Sequence, residues 1–171
     1  MQSAHLPRLL AHCFWADRLL LDALEQDPPL DAERLLAHVL TTEHLYFLRI
    51  TGADPFPQDF WPSMDSTQRR EQLTLNERHY LALIGQSIDL AQPVSYRNSS
   101  GKRFATPVVD MLFHVVLHGM HHRGQIVRVL RENGQTPPAT DFIVYSRLHP
   151  ESGWSVGDPT SNPSLQRAPS E

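Results

Sequence analysis

The chain has 171 residues, 40% of them apolar and 20% charged, a balance that suits one globular domain with its own core and excludes a disordered chain. Fifteen lysines and arginines stand against nineteen aspartates and glutamates, for a net charge of −4 with histidine neutral. No basic block is present to track a phosphate backbone, so nucleic acid is not an expected partner.

The single cysteine, Cys13, rules out an intramolecular disulfide framework and fits a reducing compartment. Set in an apolar helical stretch, it reads as a buried structural thiol. No window holds the roughly 18 consecutive apolar residues of a membrane span, and Met1 to Leu10 lacks the basic-then-apolar layout of a secretory signal. The expectation is a cytoplasmic protein with no membrane partner.

In chain order, Leu9, Leu10, Phe14, Leu20, Leu21 and Leu24 follow a helical rhythm that Asp27-Pro28-Pro29 stops. Asp31 is the expected N-cap of a second helix through Ile50, closed by Gly52. Residues 53–63, rich in Pro, Asp and aromatics, read as a loop across one end of the fold. A third helix is expected from about Thr67 to Leu90. Two short alternating runs around Asn98 to Gly101 then predict a small hairpin. Thr106 and Pro107 signal the start of a fourth helix, as hydroxyl cap and first-turn proline, and its periodicity runs to Leu130. The sum is an all-α four-helix bundle over residues 1–150, with a small β-hairpin before the fourth helix. Residues 151–171, rich in Pro and Ser, are expected to form a flexible tail.

Ten histidines are present, and His114, His118, His121 and His122 fall close together in the fourth helix. At about 100° per residue, all four lie on one face, and His118 and His122 stand one turn apart, near enough for two imidazoles to meet one ion. The apolar stripe of Val108, Leu112, Val115, Ile126 and Leu130 marks the inward side. His118 and His122 lie nearest its edge, His114 is placed at the mouth of a pocket, and His121 points to the rim or solvent.

A third ligand should come from another helix. On the second helix, His38 lies closer to the apolar stripe of Leu35, Val39, Tyr46 and Ile50 than His44 does. His38 is therefore the better ligand and His44 is expected to be exposed. Glu43 falls on the inward half of the wheel, where an unpaired carboxylate is costly, so it either orients or joins the site or takes a plain structural pairing. Gln125 shares the histidine face and can hydrogen-bond substrate or bound water. Arg123 is expected to anchor a neighbouring helix or the C-terminal segment, with Asp141 as a candidate partner. Because Gly119 follows His118, the glutamate of a His-Glu-x-x-His protease is missing.

The run His114-Val-Val-Leu-His118-Gly-Met-His121-His122-Arg123-Gly124-Gln125-Ile126, followed by Gly134, Pro137-Pro138 and Asp141-Phe142, closely resembles the DinB family, also described as DinB/YfiT-like metalloenzymes. Leu36-Ala-His38-Val-Leu-Thr-Thr-Glu43, Phe14-Trp15-Ala16-Asp17 and the Tyr96 to Phe104 hairpin extend the likeness over roughly residues 5 to 148. Ser146 departs from it, standing where Leu is common. The resemblance implies a four-helix bundle holding one divalent ion on three histidines, which map to His38, His118 and His122. Zinc or nickel comes first among the implied metals, with iron or manganese after. It also implies a homodimer, a link to stress response and, among some relatives, transfer of a low-molecular-weight thiol to an electrophile. The competing readings are a metal-dependent hydrolase, with Glu43 or His114 relaying the proton, a non-catalytic metal-binding stress protein, and a histidine-rich bundle without metal.

Overall fold

The computed structural model describes residues 5–53, 55–86 and 88–150; the segment expected to be a flexible tail lies outside them. The protein is mostly helical, with five helices and one small antiparallel hairpin among the described residues. In order these are α1 (His5–Ala23), α2 (Leu30–Ile50), α3 (Ser66–Ile84), β1 (Pro93–Arg97), β2 (Arg103–Pro107), α4 (Val108–Glu132) and α5 (Phe142–Leu148). No helix of the described residues is long and apolar enough to cross a membrane.

The helix ends differ from the sequence expectations in ways that local chemistry explains. Pro29 takes the N-cap position of α2, and Asp31 lies in the first turn with Glu33, where both carboxylates face the positive end of the helix. Thr106 does not cap α4 but belongs to β2, opposite Val94, and Pro107 precedes the first helical residue. The free N–H groups of Val108 and Val109 instead donate to the carbonyls of Gln92 and Leu90, at 3.0 and 2.9 Å. That use of residues 90–92 is one reason α3 stops at Ile84 rather than Leu90: their backbone is committed to the start of α4. At its other end α3 carries a capping box, Asp65 Oδ1 accepting from the Gln68 N–H at 2.8 Å while Gln68 Oε1 accepts from Asp65 at 2.9 Å.

α4 packs against α2 along most of its length and against α1, while α3 closes on the other sides of α1 and α2. The resulting core is filled by Leu10, Phe14, Leu20, Leu36, Leu40, Leu73, Met111, Leu112, Ile126 and Leu130, each 1% exposed or less. α5 was not expected from the apolar periodicity. It lies on α1, where His12 Nε2 donates to the Thr140 carbonyl at 2.8 Å and meets Phe142 edge-on at 5.3 Å. Ser146, the departure from the family pattern, is put to use there: Arg8 donates to its hydroxyl at 2.8 Å.

A polar cluster runs through this core and touches all four long helices. Arg123 of α4, 2% exposed, donates to both oxygens of Asp17 of α1 at 2.9 and 3.1 Å and to Cys13 Sγ at 3.3 Å. Asp17, not Asp141, is the partner of Arg123. Glu43 of α2 lies against Asp17 and accepts from Asn76 Nδ2 of α3 at 3.0 Å, and Tyr80 donates to the Glu43 carbonyl at 2.8 Å. Burial, and then the neighbouring charge of Asp17, raise the Glu43 carboxyl well above its ordinary range, which favours its neutral form. Burial likewise pushes the Cys13 thiol up to about 11, the condition of an unreactive structural cysteine.

Candidate metal centre

His38 comes from the middle of α2, and His118 and His122 come from successive turns of α4. Helix α2 faces α4 along this stretch, so the one-turn spacing on α4 becomes a triangle when His38 is added from across the interface. One ring nitrogen from each of the three residues lies within 4.8 Å of the other two, a grouping that could hold a metal ion. Nε2 of His38 and Nε2 of His118 are 3.1 Å apart.

That spacing tests the fit. Nitrogens bound at roughly 2.0–2.1 Å in tetrahedral or octahedral geometry stand about 2.8–3.4 Å from one another. The donor set agrees, because on two of the rings the other nitrogen is engaged. His38 Nδ1 donates to the Phe60 carbonyl at 2.6 Å, and His122 Nδ1 donates to Gln125 Oε1 at 2.7 Å. Both rings therefore present an unprotonated Nε2, the form a cation requires. Burial, and then the neighbouring imidazoles of His122, His38 and His114, push His118 down to about 3, so it too is neutral at pH 7. Burial also lowers His38 and His122.

The loop between α2 and α3 supplies more than a connection. Besides the Phe60 carbonyl, it lays Trp61 flat on His38, with ring centroids 3.8 Å apart and planes 4° from parallel, and places it edge-on to His122 at 6.2 Å. Trp61 is nevertheless 55% exposed, so one indole face covers a ligand while the rest remains open to solvent. Neither group was singled out in the sequence. A backbone carbonyl leaves no signature in side-chain pattern, and the only hint of Trp61 was the aromatic content of a proline-rich loop.

His114 is exposed and stacks on Tyr46 at 4.5 Å, with its ring 5.2 Å from that of His118. His121 is exposed, and Gln125 Nε2 donates to its Nε2 at 3.1 Å. His44 is half-buried rather than exposed: α3 covers its side of α2, and the ring stacks on His79 at 5.7 Å. Glu43 is committed to the core cluster with Asp17 and Asn76. Gly119, read from the sequence as the absence of a protease glutamate, has a positive role. A Cβ there would stand 2.7 Å from Arg123 Nη1, so the glycine makes room for the buried guanidinium.

Fold and site together define a helical protein with a three-histidine centre between two of its helices. The chain matches the DinB family over residues 3–153, and it belongs to that family. It is also similar to Protein DinB of Bacillus subtilis (strain 168), with 38% identity over 73 residues that make up 43% of this chain and 42% of the relative. The aligned stretch thus spans less than half of the relative's length.

Proposed function

We propose that this protein is a metal-dependent enzyme of the four-helix-bundle DinB type, binding one divalent ion through His38, His118 and His122 and transferring a low-molecular-weight thiol to an electrophile. The observation that carries the reading is the convergence of three imidazole nitrogens, two of them on rings whose other nitrogen is already engaged, by the Phe60 carbonyl and by Gln125. Three protein ligands leave coordination positions for an exogenous group, the arrangement of catalytic rather than structural zinc-type sites.

When bound, the ion supplies a Lewis acid that favours the thiolate form of a thiol over the thiol itself. The sulfur then forms a bond to the electrophilic carbon, and the leaving group departs with its electron pair. The chain's own residues bind and orient. His38 and His122 are held in register by Phe60 and Gln125, and Trp61 shields one side of the centre from water. His114, neutral and exposed beside His118, is placed to take the thiol proton at a ring nitrogen and pass it to solvent. Hydrolysis is the lesser reading, because of its two candidate relays Glu43 is buried in the core beside Asp17, where its carboxyl is a poor base for the site, and only His114 is left.

We further propose a homodimer. Phe113, Leu117 and Met120 are 42%, 57% and 57% exposed and repeat at four- and three-residue spacing along α4, an apolar row suited to a second copy of the same helix.

The deciding experiment loads untagged protein with Zn²⁺ or Ni²⁺, measures the stoichiometry, and follows conjugation of monochlorobimane with a panel of low-molecular-weight thiols. About one equivalent of metal and metal-dependent conjugation are expected. Less than about a tenth of an equivalent sinks the metal site. Full loading without conjugation of any thiol removes the transferase reading, and ester turnover without thiol turns it into a hydrolase.

A further inference from the structure

We propose that Gln125 is the positioning residue of His122 and that, by doing this with a neutral amide, it keeps the metal centre cationic and selective for an anionic ligand. The proposal rests on the reading of His38, His118 and His122 as metal ligands.

The geometry begins with the amide. Gln125 follows His122 by three residues on α4, so the two side chains lie on neighbouring turns of one face. Its Oε1 sits 2.7 Å from His122 Nδ1, while its Nε2 sits 3.1 Å from Nε2 of the exposed His121. Both ends of the amide are engaged, one on each histidine, so the carbonyl is held toward His122. An oxygen there can only accept, which places the proton on Nδ1 and leaves Nε2 as the lone pair directed into the cluster. Gln125 is thus turned toward a ligand rather than toward substrate, the role the sequence suggested.

Charge supplies the second half. Ligating histidines commonly lean on a carboxylate, a backbone carbonyl or water. Here His38 uses the Phe60 carbonyl and His122 uses an amide, and among the described residues no carboxylate hydrogen-bonds any of the three rings. Of the carboxylates in the core cluster, Asp17 is paired with Arg123, and burial favours the neutral form of Glu43. A divalent ion in this cage would keep its full charge, because neither its ligands nor their partners offset it. Such a centre favours an anion in the open position, whether thiolate, hydroxide or carboxylate, over a neutral donor.

Two substitutions separate the two halves. Gln125→Leu removes the acceptor; Gln125→Glu keeps it and adds a charge. Co²⁺ affinity is measured by chelator competition at pH 8, azide affinity of the Co²⁺-loaded proteins by visible absorption, and the His122 tautomer by ¹⁵N NMR of the metal-free proteins, with circular dichroism as the check on folding. Gln125→Leu should bind Co²⁺ about 10- to 100-fold more weakly and lose the fixed Nδ1–H signature. Gln125→Glu should bind Co²⁺ at least as tightly as the parent yet bind azide about tenfold more weakly. Equal Co²⁺ affinity in Gln125→Leu and the parent overturns the positioning role. Equal azide affinity in Gln125→Glu and the parent overturns the charge argument. Failure of the parent itself to bind Co²⁺ refutes the underlying metal reading instead.

Discussion

Gly119→Ala is a one-carbon change in the middle of a helix, and on propensity alone it should stabilise α4 by about 1 kcal/mol. The structure reverses the sign. The added Cβ would stand 2.7 Å from Arg123 Nη1 and 3.1 Å from Cζ and Nη2, so relief to the 3.4 Å of ordinary contact requires the guanidinium to retreat by about 0.7 Å. Arg123 cannot make that move freely, since it is held by both oxygens of Asp17 at 2.9 and 3.1 Å and both side chains are buried. Disrupting a buried pair costs roughly 3–5 kcal/mol, which leaves a net loss of about 2–4 kcal/mol after the gain in propensity. Urea unfolding followed by circular dichroism reads the difference directly. The same substitution in an Asp17→Asn/Arg123→Met background, where no guanidinium occupies the space, should instead stabilise by about 1 kcal/mol. A Gly119→Ala protein as stable as the parent, or an equal penalty in both backgrounds, would refute the packing argument.

Other consequences follow from the same structure. Because burial raises the Glu43 carboxyl in the folded chain, the unfolded chain releases its proton at a lower pH, near 4.5, and stability falls as pH rises from there. Glu43→Gln should flatten that fall relative to the parent between pH 4.5 and 7.5 in urea titrations; superimposable profiles would count against a protonated Glu43. His118 acts in the opposite sense: the unfolded chain takes up a proton below about 6.5 that the folded chain refuses until about 3. The metal-free protein should therefore lose stability as pH falls through that window, and His118→Gln should lose less. Ni²⁺ should quench the fluorescence of Trp61, stacked on His38, and His38→Ala should abolish saturable quenching; unchanged quenching in that variant would place the ion elsewhere. Leu117→Glu should convert a dimer of twice the 19.5 kDa chain mass into monomer by sedimentation, and a parent that sediments as monomer at micromolar concentration removes the dimer proposal.

Much of the architecture could be read from the order of residues because it depends on local periodicity. The apolar spacing placed α1, α2 and α4, and Asn98 to Gly101 placed the hairpin, since helices and turns are selected within a few residues of each other. The same locality brought His118 and His122 together, and the wheel ranked His38 above His44 by its distance from an apolar stripe. Element ends were less legible where their hydrogen bonds are supplied from a distance. Leu90 and Gln92 cap the start of α4, and α5 exists as a short helix because α1 gives His12 and Arg8 to receive it.

The environment of each polar group depends instead on how the helices pack. A helical wheel says that Glu43 and Arg123 face inward or sideways; it does not say that Asp17, 106 residues before Arg123, meets them both in the core. Nor can it reveal that the Phe60 carbonyl and the Gln125 amide orient two imidazoles, or that Trp61 lies flat over His38. The sequence alone carried the donors and their spacing on each helix. Packing α2 against α4 turned those donors into one centre and sent the nearby carboxylate into the core, because proximity between distant segments is fixed by which faces bury one another.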